Sequence, residues 1–225
     1  MEKRNRMTMF FSILSSFYLS FFTMCVQASI TANIGYESEY IFRGIAQEKS
    51  SASAGLDYSS NGFYVGTWAA QVTDGLEIDG FFGYSGFSED GDFSYNMGFT
   101  GYYYTDNFDD TYEEINIDFT YKSFSFNTAF GEYDNFDSDT QDYTFVSASY
   151  EFDSGFYITV GDFAEDFDGR YFELGYGFTL AEVDATVKYI SSDSALSGSS
   201  GDNFLIFSIG RSFSFKNLAK INLIT

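Results

Sequence analysis

Acidic side chains recur at every second position within aromatic segments of this chain. Residues 35–47 read GYESEYIFRGIAQ and carry Glu37, Glu39 and Arg43, while residues 76–86 carry Glu77 and Asp79. Two carboxylates facing each other are the catalytic pair of glycoside hydrolases. However, residues i and i+2 of any β-strand lie about 6.6 Å apart on one face, so this spacing by itself is weak evidence for catalysis.

The residue types needed for most other catalytic chemistry are missing. The chain has no histidine and one cysteine, Cys25, so zinc sites and Ser-His or Cys-His catalysis lack their parts. Acidic loops at 105–110, 134–142 and 162–169 offer oxygen ligands for calcium or magnesium, but none has the spacing of a calcium-binding EF-hand. We therefore expect no enzyme activity, no cofactor and no dedicated metal site.

The first carboxylates lie in a segment that alternates between apolar and polar residues. Between Ile30 and Arg43, even positions are mainly apolar and odd positions mainly polar. A period of two over about fourteen residues predicts one long β-strand with an apolar and a polar face. The apolar face of this predicted strand consists of Ile30, Ile34, Tyr36, Tyr40 and Phe42.

Similar segments follow along the rest of the chain, and we predict about twelve strands and no helix. The connections alternate in length: one set is short, such as 59–62 and 122–123, and the other is generally longer and acidic, such as 134–142 and 191–202. Short turns at one end and long loops at the other are typical of outer-membrane β-barrels. The predicted fold is an all-β, antiparallel transmembrane β-barrel of about twelve strands with both ends on the periplasmic side.

The N-terminal residues predict export. Lys3, Arg4 and Arg6 precede an uncharged run at 10–24, and residues 26–28 form a small-x-small cleavage pattern. This is the layout of a secretory signal peptide, so we expect a signal peptide at 1–28 and the barrel domain at 29–225. The first 28 residues hold three of the 11 basic and one of the 33 acidic residues, so cleavage shifts the formal charge from −22 to −24. Such acidity excludes nucleic acid as a partner.

A membrane barrel directs apolar side chains to lipid and polar side chains to its interior. Tyrosine and phenylalanine near strand ends, among them Tyr102, Tyr133 and Tyr171, are then expected in the aromatic girdles at the membrane surfaces. The predicted lumen-lining residues, which would set ion selectivity, are Glu37, Glu39, Arg43, Asp57, Glu77, Asp79, Glu114, Asp118, Glu173, Asp184 and Lys188. The carboxylates outnumber the bases, which favours cations. Arg43 alone is better explained as the centre of a salt-bridge cluster.

Three blocks of sequence resemble a known family. They are a Tyr-x-Phe-Arg-Gly-Ile-x-Gln pattern, a Gly-Phe-Tyr-x-Gly-Thr-Trp block and an alternating acidic strand with Glu77, Asp79 and Gly83. Together they resemble the Gcw_chp family, also called TorF-family porins, which implies an outer-membrane β-barrel of proteobacterial type with porin activity. The residues that match the first two blocks are Tyr40, Phe42, Arg43, Gly44, Ile45, Gln47, Gly62, Phe63, Tyr64, Gly66, Thr67 and Trp68. Family members usually end at an aromatic residue resembling Phe213, whereas this chain continues for twelve residues, and Phe215 could share its role.

These observations lead to one main hypothesis and two alternatives. The main hypothesis is a porin of the Gram-negative outer membrane, with a narrow acidic lumen for passive diffusion of cations or small solutes. Its expected partners are outer-membrane lipid, lipopolysaccharide, the barrel-insertion machinery and divalent cations held loosely by the acidic loops. The alternatives are a closed barrel with a structural or surface-interaction role, and a soluble periplasmic β-barrel that binds a small ligand.

Overall fold

The computed structural model describes residues 28–198 and 200–216, and these form a closed antiparallel β-barrel of twelve strands with one extra hairpin. The expected signal peptide at 1–28 and the last nine residues of the chain therefore lie outside the described residues, apart from Ala28 itself. The strands are β1 Ser29–Glu37, β2 Tyr40–Phe42, β3 Ile45–Glu48, β4 Ser51–Ser60, β5 Phe63–Gln71, β6 Leu76–Phe87, β7 Phe93–Tyr104, β8 Tyr112–Tyr121, β9 Phe124–Tyr133, β10 Gln141–Glu151, β11 Phe156–Glu165, β12 Gly169–Leu180, β13 Val183–Ser192 and β14 Asp202–Lys216.

The barrel closes between its first and last strands. All strands except β2 and β3 pair with their sequence neighbours in the wall, β1 pairs with β4, and β1 also pairs with β14 from Ser29↔Lys216 to Glu37↔Ser208. Ser29 and Lys216 therefore lie side by side at one end. The predicted all-β barrel of about twelve strands is confirmed.

The connections are generally longer at one end of the barrel than at the other, as the sequence predicts, although 166–168 is shorter than the predicted loop at 164–169 because β11 continues to Glu165. At the end with Ser29 and Lys216, here called the turn end, the connections are 61–62, 88–92, 122–123, 152–155 and 181–182. At the opposite end, here called the loop end, they are 38–50, 72–75, 105–111, 134–140, 166–168 and 193–201.

The loop at 193–201 contains a single turn of helix, α1 Ser194–Ser197, which the sequence did not predict. Asp193 caps its N-terminus by accepting hydrogen bonds from the backbone of Ala195 and Leu196. Among the described residues, no helix is long and apolar enough to cross a membrane.

The strand faces alternate between an apolar exterior and a largely polar interior. On β6, Leu76, Ile78, Phe82 and Tyr84 are exposed on the outside, and Glu77 and Asp79 point inward and are buried. The exterior as a whole is a surface of Phe, Tyr, Ile, Leu and Val side chains, whereas a water-soluble β-protein buries such residues. This is the arrangement expected of a barrel that contacts lipid.

The sequence predicted a single long first strand up to Arg43, and this prediction is wrong beyond Glu37, where β1 ends. The pairing of β1 ends at Ser38, whose N–H donates to the carbonyl of Phe207 and whose Oγ accepts from the Phe207 N–H, both at 2.9 Å. The chain then turns into the barrel as the hairpin β2–β3. Tyr40 and Phe42 were predicted on the lipid face; instead Tyr40 is buried inside and Phe42 half-buried.

Candidate functional site

The hairpin within the lumen is the central feature of the barrel interior. This inner hairpin comprises residues 38–50, and its two strands pair with each other rather than with the wall. Its turn is Arg43–Gly44, with φ of +48° and +83°, the combination of a type I′ turn. Glycine suits position 44 for two reasons. It adopts a positive φ without strain, and a Cβ at this position would lie only 2.8 Å from Leu196 Cδ1.

The inner hairpin crosses the lumen to the opposite wall. Ile41 is 1% exposed and packs in an apolar cluster with side chains of β9 to β14. The Oγ of Ser192, on β13, donates to the Gly44 carbonyl at 2.6 Å. At the base of the hairpin, Thr73 Oγ1 donates to the Gln47 carbonyl at 2.8 Å. Contacts at both ends and in the middle therefore hold the hairpin across the barrel.

Arg43 and Glu114 form a buried bidentate ion pair at the turn. Arg43 Nη1 and Nη2 each donate to one Glu114 oxygen at 2.8 Å, and the side chains are 5% and 0% exposed. The hydroxyls of Tyr102 and Tyr143 donate to the same carboxylate at 2.6 and 2.9 Å. The Arg43 guanidinium also lies 4.3 Å from the centre of the Phe145 ring. Each Glu114 oxygen thus accepts two hydrogen bonds, which is what a buried carboxylate requires.

A second contact joins β2 to one of the two buried carboxylates of β6. The Tyr40 hydroxyl donates to Glu77 Oε1 at 2.7 Å, and the Tyr40 ring lies edge-on to Trp68, with 5.8 Å between centroids. Asp79 follows two residues after Glu77 on the same inward face and is 2% exposed. The hairpin therefore covers the acidic end of β6.

A third group of charges lies on the wall between β1, β13 and β14. Lys188 Nζ donates to Glu37 Oε1 at 3.2 Å, and Ser208 Oγ donates to the same oxygen at 3.1 Å. Nearby on β12, Glu173 accepts from the Tyr157 hydroxyl at 2.6 Å. Lys188 is fully buried, so its ion pair with Glu37 is shielded from solvent.

The remaining predicted lumen residues occupy different depths. Asp57 is buried and accepts from Asn33 at 3.4 Å, and Asp118 is half-buried and accepts from Asn96 at 2.8 Å. Asp184, also half-buried, accepts from Thr179 at the turn end at 2.6 Å. Glu39 is half-buried in the bend between β1 and β2, so it belongs to the base of the inner hairpin and not to the barrel wall.

The interior carries more buried acid than base. Among the described residues, those more than nine-tenths buried include six acidic side chains, and Arg43 and Lys188 are the two basic ones. The acidic six are Glu37, Asp57, Glu77, Asp79, Glu114 and Glu173. In the described part of the chain, no group of three or more acidic, histidine or cysteine side chains is arranged to hold a metal ion.

Inward tyrosines are the part of the site that the sequence reasoning missed. Tyr102, Tyr133 and Tyr171 were predicted in the outer aromatic girdles but are buried inside the barrel. The Tyr102 hydroxyl donates a hydrogen bond to the Glu114 carboxylate. The signal was present: in the run 102–104, Tyr102 and Tyr104 fall on the inward positions of β7, and only Tyr103 points out. A long tyrosine at an inward position can reach an acid on a neighbouring strand.

The sequence blocks behind the family resemblance contact one another inside the barrel. Tyr40 of the first block packs on Trp68 of the second. Tyr64 of the second block reaches over Gly83 of the third, where a Cβ would lie only 2.3 Å from the Tyr64 hydroxyl oxygen. The blocks therefore encode a single structural unit, namely the inner hairpin together with the part of the wall formed by β5 and β6.

Solved structures share this fold at low sequence identity. The KdgM porin matches with a TM-score of 0.53 and 10% identity, over 83% of this chain and 99% of that chain. A structure from work on the in-meso crystallization of membrane proteins matches with a TM-score of 0.57 and 12% identity, over 83% of this chain and 84% of that chain. These likenesses concern the fold, and they define the class: a twelve-stranded β-barrel of the kind found in the KdgM porin.

The family is given by the sequence itself. Residues 26–161 match the family model described as "Bacterial protein of unknown function (Gcw_chp)", which is more than half of the chain. The protein therefore belongs to the Gcw_chp family, as the three sequence blocks predicted. No curated protein matches the sequence.

Proposed function

We propose that this protein is a narrow channel of the bacterial outer membrane for passive diffusion of cations or small solutes. The observation that carries the proposal is a closed barrel with apolar side chains outside and charged, hydrogen-bonded side chains inside. An apolar exterior fits lipid, and a polar interior fits a water-filled path. The same exterior argues against a soluble periplasmic barrel, because it would expose a large apolar surface to water.

The preference for cations is supported by the excess of inward acid. Arg43 and Lys188 are paired with Glu114 and Glu37, which leaves Asp57, Glu77, Asp79 and Glu173 to set the sign of the interior potential. A narrow, low-dielectric passage lined by one sign of charge concentrates ions of the opposite sign. The proposed selectivity residues are the eleven predicted from the sequence, with Glu39 acting from the hairpin base.

A second candidate function is favoured by the inner hairpin. Because Tyr40, Ile41 and Arg43 are buried where they cross the lumen, a barrel with a permanently fixed hairpin would conduct poorly. In that case the protein would serve as a structural barrel or as a surface module that acts through its acidic loops.

A location in the outer membrane implies a set of partners, which we propose together with the channel. Outer-membrane lipid and lipopolysaccharide would contact the exterior and the acidic loops, where divalent cations would be held loosely. The barrel-insertion machinery would bind β14, on which Phe213 and Phe215 both point outward and are exposed. Export would depend on the expected signal peptide.

The test is a conductance measurement on refolded protein in a planar bilayer. In a KCl gradient, the reversal potential should show preference for potassium over chloride, and salt should weaken the preference because the Debye length is about 10 Å at 0.1 M. Asp57→Asn should reduce the preference. Asp153→Asn, the same change in an exposed turn at the turn end, is the matched control and should leave it unchanged.

Two outcomes would count against the channel as proposed. An anion-selective pore would mean that the inward carboxylates do not line the path of the ions. A correctly refolded barrel that stays silent at every voltage would favour the structural or surface-interaction function.

A further inference from the structure

Four of the six buried carboxylates of the described chain form no ion pair with any described residue, and two of these, Glu77 and Asp79, occupy successive inward positions of β6. Among the described residues, the buried ion pairs are Arg43–Glu114 and Lys188–Glu37, and neither involves Glu77 or Asp79. Arg43 donates with both terminal nitrogens to Glu114 and is thus committed to that carboxylate. The acidic end of β6 therefore lacks a compensating positive charge from the part of the chain that the structure describes.

Each carboxylate of the pair has one oxygen with no hydrogen-bond donor in the described chain. Glu77 and Asp79 are 1% and 2% exposed, and Glu77 Oε2 and Asp79 Oδ1 accept no hydrogen bond from any described residue. The ionisable groups that face the pair are tyrosines and acids: Tyr40 from β2, Tyr102 and Tyr104 from β7, Glu114 from β8 and Asp109 from the loop after β7. A buried, unpaired carboxylate is strongly unfavourable when charged, so the pair needs a positive charge from solution.

The inner hairpin packs against Glu77 and against the wall beside Asp79. Tyr40 contacts Glu77 directly, and the ring of Phe42 lies 5.7 Å from that of Tyr102, the cross-strand partner of Asp79. The hairpin strands make their ladder bonds with each other, so side chains and a few single hydrogen bonds hold the hairpin against the wall. If the hairpin leaves, both carboxylates become hydrated and can carry their charges without a partner.

We propose that Glu77 and Asp79 form a small-cation site that fills when the inner hairpin docks. The ligand is a single compensating positive charge, supplied either by a proton held between the two carboxyls or by an alkali-metal cation. A divalent metal fits poorly, because the described residues place no third acidic, histidine or cysteine side chain with this pair, and magnesium gives up its bound water reluctantly. The inference deepens the proposed channel function, since the docked hairpin narrows the path, but docking can be measured without conduction.

The direction of the linkage follows from mass action. The docked state holds one more positive charge than the undocked state, so cations favour docking, and their removal favours release. For one linked proton, the ratio of docked to undocked protein changes by up to about tenfold per pH unit. High pH, or replacement of alkali cations by an organic cation too large for the site, should therefore free the hairpin.

Trp68 is a built-in reporter for this test. It is the only tryptophan in the chain, it pairs across the sheet with Asp79, and it packs on Tyr40 of the hairpin. Quenching of its fluorescence by acrylamide in the refolded, detergent-solubilised protein should increase when the hairpin leaves. One series varies pH at constant potassium, and the other replaces potassium by N-methyl-D-glucamine at constant pH and ionic strength.

We expect quenching to rise in at least one series for the wild type and for the Asp153→Asn control. A response to pH identifies the cation as a proton, and a response to potassium identifies it as an alkali cation. Asp79→Asn should abolish the response, because one charge fewer removes the need for compensation. Glu77→Gln serves the same purpose if Asp79→Asn does not refold.

The inference is overturned by wild-type quenching that is flat in both series, or by an unchanged response in the variant. Either result would still be compatible with the proposed channel function if the refolded protein shows potassium-selective conductance steps in the planar bilayer. Conversely, a cation-dependent response in a barrel that never conducts would keep the site and reject the channel.

Discussion

At the scale of single residues, the interior depends on carboxylates whose partners come from distant parts of the chain. Glu114 on β8 is satisfied by Arg43 from the hairpin, Tyr102 from β7 and Tyr143 from β10. A buried ion pair adds little net stability compared with apolar packing, but losing one member leaves the other charge uncompensated. Arg43 therefore specifies where the hairpin turn docks.

This role predicts a non-additive pair of substitutions. Glu114→Gln and Arg43→Gln should each lower the free energy of unfolding by about 3–5 kcal/mol, less whatever is recovered when the hairpin moves out to hydrate the remaining charge. The double variant should lose less than the sum of the two. Denaturant titration of the refolded barrel measures all three values. Additive losses would contradict the view that these two side chains act as one unit.

At the scale of elements, the inner hairpin is an insertion between two wall strands that are already partners. Glu37 at the end of β1 pairs directly with Ser51 at the start of β4, so the wall needs no more than a tight turn there. The chain instead devotes residues 38–50 to a structure inside the lumen. Since the wall can be closed without it, we infer that the hairpin serves a function other than closing the wall.

Replacing residues 38–50 by Asn-Gly isolates that function. Asn-Gly forms the two-residue turn that suits a β1–β4 hairpin, so the barrel should still fold. Single-channel conductance in a planar bilayer should rise, because Tyr40, Ile41 and Arg43 no longer cross the lumen. The matched control is Asn61→Gly in the turn between β4 and β5, which leaves the lumen unaltered. Equal conductance in the two variants would show that the hairpin does not restrict the path.

At the scale of the whole molecule, closure through β1 and β14 leaves the wall with no free strand edge. A closed barrel resists unravelling because every wall strand is paired on both sides. Its apolar surface extends around the outside: every wall strand except β10 exposes large apolar side chains, and the outward positions of β10 include Val146, Ala148 and Tyr150.

Closure predicts the behaviour of the intact protein. It should fractionate with outer membranes and migrate differently on a denaturing gel when unheated, because detergent alone does not open a closed barrel. Heating should remove the difference in mobility. Recovery in the soluble periplasmic fraction without a heat-dependent shift would contradict both the membrane location and the stability expected of the barrel.

The wall of the barrel was predictable because its rules are local. Alternation on β6 assigned Glu77 and Asp79 to one face and Ile78 and Phe82 to the other, and the generally longer connections distinguished one end of the barrel from the other. The inner hairpin was not predictable in the same way, since the alternation of Tyr40, Phe42 and their neighbours continues across the bend at Ser38. A period of two identifies a strand and its faces, but it does not say whether the strand lies in the wall or inside it.

The adjacency of Ser29 and Lys216 at the turn end also makes the barrel suitable for circular permutation. A linker would join Lys216 to Ser29, and new termini would be opened at residues 61–62. In this permuted chain β4 is the last strand to be synthesised, and the inner hairpin comes immediately before it. A permutant with wild-type conductance would show that the hairpin can enter a nearly finished barrel. One that aggregates would show that the wall has to assemble around it.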